Sequence, residues 1–194
     1  EENINKKHQK TAIFYSPDEE ISDFFVETDV AKYHFSRMGA FLKQVELKNI
    51  YQYTPKDQPK KPLILFAEDQ QLLNFPLQLL DQQIVHTKDL YFSAPSIDTL
   101  RITGNEEKSC SFKLFPLEKT TNGEEIIDSS SFIEFLYTFS ANNYRFHFHI
   151  NFVNMSSYLY PNRSYTMEWN AALHSMEKNY EYERNLTTDR KSVV

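Results

Sequence analysis

Glycine is scarce in this chain. Only three of the 194 residues are glycine, namely Gly39, Gly104 and Gly123, against a usual share of about 7%. Loops that cradle phosphates and turns that present a catalytic serine need glycine, because their backbone adopts positive φ or approaches a ligand closely. The sequence contains no GxGxxG, GxxxxGKS/T or GxSxG motif. We therefore predict that the chain uses no nucleotide, and no motif points to any other cofactor.

Cysteine and positive charge are also limited. Cys110 is the single cysteine, which excludes an intramolecular disulfide framework and a cysteine-rich zinc site and favours a reducing, intracellular (cytoplasmic) compartment. The net charge is -6 and no basic stripe could neutralise phosphates, so we expect no nucleic-acid partner. No apolar run approaches the roughly 18 residues that a membrane span requires, so we expect no membrane span.

Aromatic residues, by contrast, are abundant. The chain has 16 Phe, 12 Tyr and one Trp, which predicts a folded, aromatic-rich core. It begins with Glu, and we interpret it as a piece of a longer protein or assembly. Residues 1–15 form a polar leader and 184–194 a disordered tail in this interpretation. Residues 16–183 form one globular domain, with a possible subdomain break at the proline-rich segment 54–62.

Helices are predicted where capping signals precede apolar residues at helical spacing. Ser16 with Pro17 and Glu19 is typical of a helix start, and Ser131 with Glu134 forms a second capping box. The predicted helices cover residues 17–44, 69–83, 131–139 and 167–183.

Strands are predicted from short apolar runs and from alternation of apolar and polar residues. They cover about 45–53, then 63–67, 89–95, 109–118 and 144–153. Because strands and helices alternate through the middle of the chain, we predict an α/β fold: a mixed sheet with flanking helices in a single layered domain. The alternative is an α+β arrangement.

Two histidines stand out in the strand pattern YRFHFHINF, residues 144–152. In a strand, His147 and His149 lie on one face, from which both could reach one metal ion. Further ligands would have to come from His34, His86, His174 or carboxylates, and no spacing marks any of them. We interpret the two histidines as polar residues on a solvent-exposed sheet face, with a metal site as the alternative.

Cys110 is a second candidate. It could be a nucleophile with one of the histidines as its base. Its alternation with Phe112 and Leu114 instead places it on the inward face of a strand, where a buried thiol is inert. We therefore predict no catalytic residue. If the chain is an enzyme, the candidates for catalytic residues are Cys110, His147 and His149.

Residues 63–102 resemble part of a CHAT domain, a relative of caspase and separase peptidases. The similar positions are Leu73, Phe75, Pro76, Leu77 and Leu80, followed by Pro95, Ser96 and Leu100. Active CHAT domains have a His-Gly motif on one strand and a cysteine after the next. Here Cys110 precedes both His147 and His149, and neither histidine is followed by glycine. The resemblance therefore implies an inactive copy or one that lacks the catalytic half.

These observations together favour a non-enzymatic module for protein interaction or structure, with a protein partner. A pseudoenzyme that serves as a scaffold in an assembly is one form of this hypothesis. The alternative is a hydrolase, either cysteine-dependent and CHAT-like or metal-dependent through His147 and His149.

Overall fold

The computed structural model describes residues 13–16, 23–55, 57–66, 71–161, 165–171 and 181. The strands in chain order are β1 Phe24–Glu27, β2 Ala31–Phe35, β3 Leu42–Tyr51, β4 Pro62–Ile64, β5 Gln71–Asn74, β6 Pro76–Gln78, β7 Ile84–His86, β8 Thr99–Arg101, β9 Glu107–Leu114, β10 Leu117–Lys119, β11 Glu125–Ile127, β12 Phe132–Ser140, β13 Phe146–Val153 and β14 Glu168–Ala171. Short 3-10 turns cover Thr87–Asp89 and Met155–Ser157.

Two sheets form the body of the fold. The large sheet has the order β4-β3-β2-β1-β8 and the small sheet the order β13-β12-β9. Pairing is antiparallel except between β1 and β8, which run parallel. Three two-stranded ribbons complete the described part: β5 with β14, β6 with β7, and β10 with β11.

The core lies between the inner faces of these two sheets and is largely aromatic. The ring of Phe24 on β1 lies 5.6 Å from that of Phe112 on β9. Phe35 on β2 lies 4.8 Å from Tyr137 on β12. Tyr33, also on β2, lies 6.0 Å from Phe146 on β13. These contacts place β1 opposite β9, and β2 opposite β12 and β13.

The predicted α/β fold is wrong, and so is its α+β alternative. The segments predicted as helices are strands or turns wherever the structure describes them: 17–44 contains β1, β2 and the start of β3, 69–83 contains β5 and β6, and 131–139 lies in β12. Burial of alternate side chains explains β12, because Ile133, Phe135, Tyr137 and Phe139 all face the core. Residues 167–171 include β14, and the rest of that predicted helix lies outside the described residues apart from residue 181.

Several strand predictions are confirmed. The pattern at 144–153 is β13, that at 109–118 is β9 followed by β10, and that near 45–53 is the second half of β3. The prediction at 89–95 is wrong, because a 3-10 turn and two isolated bridges, at Tyr91 and Ser93, occupy that segment. Residues 1–12 and 182–194 lie outside the described part, and the domain bounds remain predictions. No helix in the described part is long and apolar enough to cross a bilayer.

Candidate functional site

An apolar cleft opens between the two sheets at one side of the core. Its volume is about 520 Å³. Three walls enclose it: the large sheet with its flanking segments, the small sheet, and the β5–β14 ribbon. The residues that line it, which define the apolar cleft from here on, are Tyr33, Phe41, Leu42, Val45, Leu47, Ile50, Leu65, Phe66, Leu73, Tyr137, Tyr144, Phe146, Phe148, Met167 and Trp169.

The alternating pattern of each strand explains why the lining is apolar. Val45 and Leu47 point inward from β3, and Phe146 and Phe148 point inward from β13, because residues two apart share one face of a strand. The inward side chains become more exposed toward the cleft. Those of β12 are almost fully buried, whereas those of β13 are only half-buried. The core is therefore sealed under β12 and open to solvent beside β13.

The two buried hydroxyls of the lining already have partners. The Tyr33 hydroxyl donates to the Tyr144 carbonyl at 3.2 Å, and the Tyr137 hydroxyl donates to the Ala40 carbonyl at 2.8 Å. Burial raises the pKa of Tyr33 to about 12 and that of Tyr137 further still. Neither phenol can act as an acid or base near neutral pH. The chemistry that this lining offers is the binding of apolar groups.

The rim of the apolar cleft carries Trp169, the only tryptophan of the chain, which is 65% exposed. Its strand β14 pairs with β5, and a partly buried polar contact reinforces this pairing: the Asn74 amide donates to the Glu168 carboxylate at 2.7 Å. Asn74 also lies 3.0 Å from His86 Nδ1, which ties the ribbon to β7. A large exposed apolar ring is thus held in a defined position beside the opening.

His147 and His149 lie on the outer face of β13, away from the apolar cleft. They are exposed and stand opposite Thr138 and Leu136 of β12. His34 instead contacts Asp23 at 2.7 Å, His86 contacts Asn74, and His174 lies outside the described residues. No group of three or more potential metal ligands occurs within the described part of the chain. A metal site at His147 and His149 stays the untested alternative to a solvent-exposed polar face, and the described part of the fold brings no further ligand to them.

Cys110 lies on the inner face of β9, opposite Tyr137 of β12. Strand β12 separates β9 from β13, and the histidines of β13 point to the opposite face, so thiol and imidazole are not brought together. Burial raises the pKa of the Cys110 thiol to about 12. The arrangement matches a structural buried cysteine and lacks the electropositive surroundings of a nucleophile.

We expect the Cys110 thiol to react with alkylating reagents only after unfolding. Its side chain is 3% exposed, and the thiolate that reacts is scarce at neutral pH when the pKa is about 12. Labelling with iodoacetamide at pH 8, followed by mass spectrometry, should be at least about a hundredfold slower in buffer than in denaturant. Rapid labelling of the folded chain would contradict this placement of Cys110.

Sequence patterns did not predict the apolar cleft. The apolar spacing predicts a helix over 167–183, whereas the structure places Trp169 on strand β14 and Met167 immediately before it. Ile50 and Leu65 carried no distinguishing signal, because an apolar residue in a strand is equally consistent with a sealed core. The excess of aromatic residues was the only hint, and it did not locate the site.

The chain is similar to proteins named membrane protein insertase YidC. The one from Porphyromonas gingivalis is 26% identical over 157 residues, a match that covers 79% of this chain and 21% of the relative. The one from Chlorobium luteolum is 28% identical over 159 residues, covering 79% and 24%. The one from Bacteroides fragilis is 28% identical over 130 residues, covering 66% and 18%. The chain therefore spans about a fifth to a quarter of the length of the curated relatives it matches. No protein-family model and no solved structure matches the chain.

These relatives overturn several predictions made from the sequence. The CHAT resemblance is wrong, because the relatives are named as insertases and not as peptidases. The non-enzymatic interaction or scaffold module is wrong for the same reason, as are the pseudoenzyme and the cysteine- or metal-dependent hydrolase. The intracellular, cytoplasmic location is also wrong, because the relatives are named for membrane proteins. The expectation of a protein partner is consistent with that name.

Proposed function

We propose that this chain is the part of a membrane protein insertase that holds client segments, and that its apolar cleft receives apolar side chains of a membrane protein before insertion. The names of the relatives support the insertase role. The observation that carries the holding role is the cleft itself, an opening of about 520 Å³ in which every lining side chain is aliphatic, thioether or aromatic.

The physical need for such a cleft follows from the clients. A membrane-spanning segment presents about 20 mostly apolar residues, and each exposed Å² of apolar surface costs roughly 25 cal/mol in water. Covering two or three of its side chains offsets about 3–9 kcal/mol before the cost of association. Binding of this strength is weak and reversible, which suits a site that must release its client.

The single tryptophan provides a direct test of client binding. We expect a lysine-flanked apolar peptide without Trp or Tyr to shift the emission of Trp169 to shorter wavelength in a saturable titration, because the ring leaves water when the peptide covers the rim. Ile50→Asp should weaken this binding by about tenfold or more, since it places a charge on the cleft wall. Ile50 is 41% exposed, so the substitution leaves the sealed core intact.

Ile126→Asp is the matched control. Ile126 also lies in a strand, β11, and is 48% exposed, but it is not part of the apolar cleft. Its variant should bind the peptide as the parent does. An absence of any saturable shift, or equal binding by all three proteins, would contradict the proposed function.

A further inference from the structure

The free edge of β13 adjoins the apolar cleft. Within the described residues, β13 pairs only with β12, so its other side is the edge of the small sheet. Phe146 and Phe148 of this same strand line the apolar cleft. A segment that approached this edge would therefore meet unpaired backbone groups and the cleft opening at one place.

The ladder of the small sheet shows which backbone groups of β13 are unpaired. The Ala141 N–H donates to the Glu106 carbonyl, and Lys113 and Ser93 exchange both of their backbone hydrogen bonds across the far edge of β9. Because bonded and non-bonded pairs alternate in an antiparallel ladder, the odd-numbered residues of β12 bond to β9 and its even-numbered residues bond to β13. The N–H and C=O groups of Phe146, Phe148 and Ile150 consequently point away from β12, toward the free edge.

The sandwich is incomplete at the same position. β1 lies opposite β9, and β2 lies opposite β12 and β13. Continuing this order places β3 and β4 of the large sheet opposite the space beyond β13, where the small sheet ends within the described residues and the β5–β14 ribbon forms the third wall of the cleft. Val45 and Leu47 of β3 therefore face the apolar cleft. Val45 and Leu47 are already buried, so one more strand beside β13 would mainly cover the half-buried Phe146 and Phe148.

The edge of β13 also lacks the features that prevent strand addition elsewhere. β4 has only three residues and begins with Pro62, and β8 is equally short. The outer edge of β9 is bridged by Ser93. β13, in contrast, has eight residues without proline, lysine or an acidic side chain. A long uncharged edge of this kind is a ready template for another strand.

We propose that a client segment binds in extended form as an added strand at the free edge of β13, with alternate apolar side chains in the apolar cleft. This inference rests on the proposed function and states how the client is recognised: main-chain hydrogen bonds supply affinity for any sequence, and the cleft selects apolar side chains at every second position. None of the chain's segments outside the described residues has three apolar residues at alternate positions, which is the pattern that such a site selects.

Backbone methylation of the peptide separates strand addition from simple apolar binding. The probe is a lysine-flanked peptide of about seven alternating valines and threonines. It is compared with one version N-methylated at the valines and another N-methylated at the threonines, so that all three carry the same side chains. In an added strand only one alternate set of amides faces β13. We expect one methylated version to bind at least about tenfold more weakly and the other to stay within about twofold of the parent peptide.

Hydrogen exchange followed by NMR gives a second readout on the protein. The unmethylated peptide should protect the amides of Phe146, Phe148 and Ile150, whereas those of His147 and His149, already bonded to β12, should not change. Equal binding by both methylated versions, with no new protection, would overturn strand addition and leave the proposed function intact. Protection of these amides without any shift of Trp169 would support strand addition and contradict client binding in the apolar cleft.

Two other occupants give distinct results, and each would overturn the proposal. If a second copy of the chain fills the edge, the same amides become protected without peptide as the protein concentration rises, and sedimentation shows a dimer. If a further strand of the longer protein fills it, the amides are protected in the full-length protein at every concentration, and the peptide does not bind.

Discussion

Phe35→Ala should lower the free energy of unfolding by about 3–5 kcal/mol. Phe35 is completely buried on β2, and its ring contacts those of Phe24, Phe112, Tyr137 and Phe139 at centroid distances of 4.8 to 6.4 Å. Truncation loses the favourable free energy of moving the ring out of water and leaves a cavity. It also removes ring–ring contacts with residues of both sheets. Since small proteins are stable by about 5–15 kcal/mol, this one change is a large fraction of the total.

Urea denaturation followed by far-UV circular dichroism measures this loss. Phe35→Leu retains most of the buried volume and should cost less than half as much, which keeps the comparison possible if the alanine variant does not fold. Ile126→Ala, on the exposed surface of β11, should change stability by no more than about 0.5 kcal/mol. A loss below 1 kcal/mol for Phe35→Ala, with an unchanged denaturant slope, would show that Phe35 does not join the sheets as described.

Gly39→Ala should destabilise the protein by about 3 kcal/mol or more. Gly39 has φ of +76°, and an added Cβ would lie 3.0 Å from the Phe41 ring and 3.1 Å from the Lys88 backbone. The Lys88 backbone cannot easily retreat, because the Gly39 N–H donates to the Leu90 carbonyl at 2.8 Å. The next residue, Ala40, also has positive φ and accepts the hydrogen bond of Tyr137, so this turn holds Phe41 at the apolar cleft.

The same substitution at Gly104 separates the cost of positive φ from the cost of the close contact with Phe41 and Lys88. It has a similar φ of +67°, but a Cβ there would meet nothing within 4 Å, so Gly104→Ala should lose only about 1–2 kcal/mol. Asparagine tolerates left-handed backbone, so Gly104→Asn should be nearly neutral while Gly39→Asn remains destabilised by the close approach. Equal losses at the two glycines in thermal and urea denaturation would contradict a tight contact between Gly39 and Lys88.

The period of the apolar residues predicted strands more reliably than the capping signals predicted helices. Ile133, Phe135, Tyr137 and Phe139 alternate as clearly as the residues of β13, yet Ser131 and Glu134 suggested a capping box and a helix. A cap contributes about 1 kcal/mol, whereas each buried large apolar side chain contributes about 1.5–3 kcal/mol. Four such side chains on one face outweigh one cap, and the strand forms.

The sequence by itself determined which side of β9 and β13 is apolar, and it placed Cys110 inside and the two histidines outside. Those assignments depend only on neighbours along the chain, because successive side chains of a strand point to opposite faces. The apolar cleft was decided by the tertiary structure alone. It exists because, among the described residues, the small sheet ends at β13 while the large sheet continues through β3 and β4. The number of strands in each sheet depends on pairing between distant segments, and no local pattern of residues encodes that pairing.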